Sequence, residues 1–185
     1  NRLVDFAWEV YKDDPNWVPP LKDEVHGLLD PKRNPWFGHG RAQLWLAERG
    51  GKVIGRISAQ VDDLVQQHMG QGTGQWGMFE ALDEVAAAAL IRTAEDWLRE
   101  QGMTRSLGPI SISIWDEPGL LVEGFKQPPM VMMGHHRPEY AGWIEAAGYA
   151  KAKDLYTYEL DIRIDMIPVI DRLIKTDEKN PRINV

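Results

Sequence analysis

The sequence predicts an α/β (α+β) domain built on a central mixed sheet with a β-hairpin and flanking helices. Three observations carry this. Two strand-like runs, Gln43 to Glu48 and Lys52 to Asp62, are joined by Arg49-Gly50-Gly51, whose glycines supply the positive φ angles of a tight hairpin. A strand-like Trp76 to Glu80 leads through Asp83-Glu84 into a long amphipathic helix, Val85 to Gln101. A second helix ends at Gly148, and the aromatic Tyr149 opens a further extended run.

Along the chain, Leu3, Phe6, Ala7 and Val10 fall at helical spacing and predict a first helix over Leu3 to Tyr11, stopped by Asp13-Asp14-Pro15. Pro15, Pro19 and Pro20 keep the next stretch out of a helix. A short helix over Leu21 to Leu29 follows. After the hairpin, Asp63 to Gln75 is rich in Gln and Gly with little apolar surface, and is expected to be a mobile loop. In the long helix, Ala87, Leu90, Ile91, Ala94, Trp97 and Leu98 form one stripe, Glu95 and Arg99 pair at i,i+4, and Gly102 ends it. Ser106 to Ile114 is expected to be a strand opened locally by Pro109, which lacks the ladder donor. Pro118 to Pro138 mixes loop and short elements. Pro138 suits the first position of a helix carrying Tyr140, Trp143, Ile144 and Ala147. Tyr149 to Asp161 is expected to be a last long strand, and Met166 to Ile174 a terminal helix. The expected organisation is one domain over residues 1–161, with 162–185 a helix or linker leading to a further domain. The chain opens without Met and stops abruptly at Ile183-Asn184-Val185, which predicts a piece of something longer.

Composition narrows the function. With 21 basic and 28 acidic residues the net charge is −7, against the clustered positive charge of a nucleic-acid binder. The absence of Cys excludes disulfides and thiolate chemistry and predicts a reducing, cytoplasmic setting. The longest purely apolar run, Val85 to Ile91, is far short of the roughly 20 residues of a membrane helix, so no membrane partner is expected.

The order of hairpin, strand, long helix, interrupted strand, helix and Gly-aromatic step resembles the GCN5-related N-acetyltransferase superfamily over roughly Leu3 to Asp161. Tyr140-Ala-Gly-Trp-Ile-Glu-Ala-Ala-Gly-Tyr149 is similar to the family's helix ending in Gly-Phe. Val53-Ile54-Gly55-Arg56-Ile57 resembles its strand after the hairpin. Asp14 to Leu21, Leu29 to His39, Gly119 to Phe125 and Gly148 to Leu160 resemble an uncharacterised bacterial branch. The resemblance implies a wedge between two parallel strands, Trp76 to Glu80 and Ser106 to Ile114, holding acetyl-CoA or another acyl-CoA. Its diphosphate would lie at the start of the long helix, where free N–H groups favour an anion. The implied cofactor-binding residues are Gly108, Ser111, Val85 and Ala87.

The sequence departs from that pattern in two places. The family's Gly-x-Gly positions fall on Val85 and Ala87 behind Asp83 and Glu84, and a carboxylate about 4 Å from a diphosphate repels it by about 4 kcal/mol at an effective dielectric of ~20. The family's acid Tyr falls on Ile144. Tyr140, one turn earlier, is the candidate acid, and Glu80, otherwise a solvated strand end, the candidate base. Glu117, Glu123, Phe125 and His135 are candidate contacts for a small-molecule amine. Gly70-x-Gly72-x-Gly74 precedes a strand and reads as a flexible link rather than a phosphate loop. His135-His136 lacks metal-ligand spacing, so no metal is expected. No Gly-x-Ser-x-Gly elbow surrounds Ser111 or Ser113. The expected activity is acyl transfer from a CoA thioester to an amine. The alternative is a non-catalytic ligand-binding or interaction module with a degenerate CoA loop.

Overall fold

The computed structural model describes residues 1–161, 163 and 168–177. It separates into a compact unit of residues 1–154 and a second unit of residues 155–185. The first unit is a mixed α+β structure around a four-stranded sheet in the order β1-β2-β3-β4.

Helix α1 (Arg2–Val10) begins where the Asn1 side chain accepts the Leu3 N–H, and it buries Leu3, Val4, Phe6 and Ala7. Helix α2 (Lys22–Leu28) is short, and a 3₁₀ turn (Pro35–Gly38) leads into strand β1 (Gly40–Arg49). Strand β2 (Lys52–Asp62) pairs antiparallel with β1, and the expected turn glycines Gly50 and Gly51 have φ of 57° and 77°. Helix α3 (Asp63–His68) corrects the expected mobile loop over 63–75. Asp62 caps it by accepting the Leu64 N–H, and the Gln66 side chain accepts from the Gly72 N–H, so polar side chains supply the order that apolar burial does not.

Strand β3 (Thr73–Ala81) is buried along its whole length. It is antiparallel to β2 and parallel to β4 (Arg105–Leu107). Between β3 and β4 runs α4 (Glu84–Glu100), whose stripe of Ala87, Leu90, Ile91, Ala94 and Leu98 covers one sheet face together with Tyr140 and Ile144 of α5 (Tyr140–Ala146).

The β2–β3 register contains a bulge. Ser58 faces Gly77 and Arg56 faces Glu80, so Met78 and Phe79 together oppose Ile57, and Met78 takes a φ of 46°. The extra residue inverts side-chain parity. Trp76 before the bulge and Phe79 and Ala81 after it all join the core under α4. Without it, Glu80 would share Trp76's face and lie in that core. With it, Glu80 shares the opposite face with Arg56, which donates to the Leu3 carbonyl of α1.

The strand expected over Ser106 to Ile114 is corrected to two pieces. Only β4 pairs with β3, over Thr73–Gln75. The chain then turns through Gly108-Pro109, and β5 (Ile110–Ser111) pairs with β6 (Glu117–Pro118) in a separate ribbon. Segment 110–111 crosses the α1 side of β3 at Gly77, where any Cβ would overlap the Ile110 carbonyl. Helix α5 starts at Tyr140 rather than Pro138, which sits in the preceding turn.

Residues 149–161 form no strand, which corrects the expected last strand. The three-residue β4 offers little edge to pair with, and the Tyr149 hydroxyl meets the Ser106 hydroxyl at 2.8 Å instead. In the second unit, α6 (Pro168–Asp177) corresponds to the expected terminal helix, of which Met166 and Ile167 lie outside the described residues. Residues 178–185, with the abrupt Ile183-Asn184-Val185 end, also lie outside them.

Candidate functional site

A dense cluster of buried polar groups sits at the C-terminal end of β3. At its centre is Glu80, only 5% exposed. The Tyr140 hydroxyl donates to its Oε2 at 2.7 Å and the Tyr11 hydroxyl to the same oxygen at 2.8 Å. The Arg56 guanidinium lies 3.5 Å from Oε1. The solvated strand end expected at Glu80 is therefore corrected to a buried carboxylate. Burial raises its pKa to about 7, against the lowering effects of Arg56, Tyr140 and Tyr11. Both tyrosines are held protonated well above their ordinary range, chiefly by burial and then by the Glu80 charge. A carboxylate that gains or loses its proton near neutrality, beside two protonated phenols and a guanidinium, is equipped for proton transfer.

Two further groups adjoin this centre. The Ser111 hydroxyl donates to Glu117 Oε2 at 2.7 Å and accepts the Met78 N–H at 2.9 Å. A Cβ on Gly134 would meet both Glu117 and His136, so these side chains converge on that glycine. His136 accepts the Leu121 N–H at Nδ1, which leaves its proton on Nε2, and burial pushes its pKa down. His135 is 6% exposed; its Nε2 lies 2.8 Å from Asp14 Oδ2, and its ring meets Tyr11 edge-on at 5.5 Å. Although burial opposes it, the His135 hydrogen bond, aided by the Asn16 N–H, holds the Asp14 carboxyl below its usual range.

The structure thus brings Glu80, Tyr140, Ser111, Glu117 and His135 into one region. Glu123 is exposed, and Phe125 is half-buried and reaches the cluster only through its carbonyl, 3.5 Å from the side-chain nitrogen of Asn16, whose N–H bonds Asp14. Tyr11, Arg56, Asp14 and His136 join it without having been assigned from sequence. Tyr11 lies 69 residues from Glu80, and no local spacing announces that contact.

The α4 start and the β3 edge are both engaged internally. Asp83 caps α4 by accepting the Ala86 N–H at 2.9 Å, while the Ala87 N–H goes to the Asp83 carbonyl. Arg49 pairs with Asp83 at 2.7 Å and holds its pKa down. Val85 is exposed and Ala87 buried, and this helix start does not fit a diphosphate. Along β3, the Met78 N–H is taken by Ser111 and the Ala81 N–H by the Tyr140 oxygen at 3.2 Å. Gly108 packs its backbone directly on Trp76. A cleft of about 290 Å³ opens between α4 and α5, lined by Glu84, Arg92, Glu95 and Trp143 among others, and it includes no residue of the Glu80 cluster.

The loops around the cluster carry exposed apolar side chains. Trp115, between β5 and β6, is 77% exposed, and Val131 is 90% exposed within the run Met130 to Met133. Among the described residues no helix is long and apolar enough to cross a membrane, and no group of three or more His, Asp or Glu could hold a metal ion.

No family model matches the chain, and no solved structure matches it. Two curated relatives do. A protein of Caulobacter vibrioides named bacterial ceramide synthase is 50% identical over 177 residues, covering 94% of this chain and 46% of the relative. Protein YghO of Escherichia coli is 41% identical over 184 residues, covering 98% of this chain and 47% of the relative. The chain is thus similar to these two proteins, and it spans about half the length of each.

Proposed function

We propose that this chain carries the proton-transfer centre of an N-acyltransferase that moves an acyl group from a thioester, the expected donor being an acyl-CoA, to the amine of a long-chain, lipid-like acceptor. The observation that carries the reading is the Glu80 centre: a buried carboxylate with a pKa near 7, held by two protonated tyrosines. A relative named as a ceramide synthase adds weight, because a ceramide is the amide of a fatty acid and an amino alcohol. The exposed Trp115 and Met130 to Met133 suit an apolar substrate, since such clusters on loops mark contact surfaces for apolar partners. The GCN5-related resemblance belongs to the same proposal.

In this mechanism Glu80 accepts a proton from the acceptor ammonium, freeing the nitrogen lone pair. The amine attacks the thioester carbonyl, a C–N bond forms, and the C–S bond breaks. Tyr140 donates its proton to the leaving sulfur, the Tyr140 oxygen takes the second proton from the nitrogen as the amide forms, and Glu80 passes the first proton to solvent. Arg56 keeps Glu80 from becoming too basic to release its proton between turnovers. The helix start at Asp83 takes no part in holding the donor.

The test is to incubate the protein with a long-chain acyl-CoA and a long-chain amino alcohol and to detect the amide by mass spectrometry. Glu80→Gln is expected to lower the rate by 10²-fold or more. Amide formation unaffected by that substitution, or none at all, refutes the reading. A second reading is a binding module without catalysis. It is favoured by the Asp83 cap and by the two hydroxyls already seated on the Met78 and Ala81 N–H groups. It predicts that the amino alcohol raises the melting temperature while no amide forms.

A further inference from the structure

His135 stands out as a group with an unused bonding capacity. Its side chain is 3% exposed, its Nε2 is committed to Asp14, and its Nδ1 is buried with no partner among the described protein atoms. Buried side-chain nitrogens are rarely left so, and an exception calls for a ligand or a functional reason. The Asp14 carboxylate accepts the Nε2 proton, and the tautomer with its proton on Nε2 leaves a lone pair on the buried, unpartnered Nδ1, an acceptor without a donor. The ring lies edge-on to Tyr11, and the Tyr11 hydroxyl reaches Glu80. One aromatic ring therefore separates two acceptors of different character. Glu80, a carboxylate, suits an ammonium, whereas an imidazole nitrogen with a free lone pair suits a neutral O–H.

Resting on the acyltransferase reading, we propose that His135 Nδ1 accepts a hydrogen bond from a hydroxyl group of the acceptor, so that the site selects amino alcohols over plain alkylamines. Asp14 is then a positioning residue that fixes the tautomer and the ring orientation. A site built to bond a substrate hydroxyl discriminates against the analogue that lacks it, because the acceptor is then left buried and unpaired.

The test compares two acceptors of equal chain length, a long-chain 2-amino-1,3-diol and the corresponding alkylamine, with the same acyl-CoA. The intact protein is expected to favour the amino alcohol by roughly tenfold in kcat/KM, mainly through KM. His135→Gln keeps a group near Asp14 but removes the Nδ1 acceptor, and the preference is expected to collapse toward unity. His135→Asn places an amide oxygen near the Nδ1 position and is expected to restore part of it. Equal rates for both acceptors in the intact protein, or an unchanged preference in His135→Gln, overturn the assignment while leaving acyl transfer standing. Acylation of neither acceptor removes the acyltransferase reading and this inference with it. If the variants fail to fold, imidazole ¹⁵N resonances of the intact protein decide: the amino alcohol is expected to move the His135 Nδ1 signal and the alkylamine to leave it in place. No movement with the amino alcohol refutes the proposal.

Discussion

Glu80 makes a quantitative prediction about stability. Its carboxyl has a pKa near 7 in the folded chain against an ordinary value of 4.5. Below pH 4.5 both the folded and unfolded chains hold the proton, and Glu80 contributes no pH dependence. Between 4.5 and 7 the folded chain keeps a proton that the unfolded chain has released, so stability falls as pH rises. The slope approaches 1.4 kcal/mol per pH unit in that window and flattens above 7, for a total of about 3 kcal/mol. Carboxylates such as Asp14 and Asp83, whose pKa values are lowered, act with the opposite sign at lower pH, so the raw profile mixes both. The difference between the native chain and Glu80→Gln isolates the effect. Urea titrations followed by tryptophan fluorescence at pH 5, 6, 7 and 8 measure it. The native chain is expected to lose about 2 kcal/mol relative to the variant from pH 5 to pH 8. A difference that is flat or rises with pH would refute the buried, proton-holding carboxylate and the mechanism built on it.

Three other outcomes follow from the same contacts. Gly77→Ala places a methyl group against the Ile110 carbonyl and is expected to cost about 1–3 kcal/mol or more in a denaturant titration. Tyr140→Phe leaves the Ala81 N–H without its acceptor and Glu80 with one donor fewer. It should cost about 1–3 kcal/mol and move the Glu80 titration upward, which the same pH series detects. Asp83→Ala removes the α4 cap and the partner of Arg49, for a loss of about 1 kcal/mol in thermal or urea unfolding, with catalysis retained.

The hairpin and α4 were readable because their signals are local: two glycines at positive φ, and one apolar stripe at a 3.6-residue period. The loop expected over 63–75 misread polarity as disorder, since Gln66 and Asp62 organise that stretch by hydrogen bonds rather than by burial. The strand expected over 149–161 had β-like residues, but the neighbouring edge strand β4 offers only three residues to pair with. Within the cluster, Glu80 and Tyr140 were found through a family pattern, whereas Tyr11 and Arg56 were not. Their roles depend on the bulge at Met78 and Phe79, which turns Glu80 toward α1 and leaves no trace in composition or period. Trp115 and Met130 to Met133 are equally opaque, because an apolar residue in a loop reads the same whether it is covered or bare.

The hydroxyls of Ser111 and Tyr140, seated on the main-chain donors of β3, bear on how tightly anything could be held along that edge. A newcomer engaging the Met78 or Ala81 amide evicts an oxygen that already satisfies it. Such a swap exchanges like for like and yields almost no net free energy. Tenacity would have to come from greasy tail length, at about 0.8 kcal/mol for every methylene withdrawn from water. On the acyltransferase reading, short acyl groups would be loosely held there and long ones firmly, a ranking set by two side chains that never meet the tail.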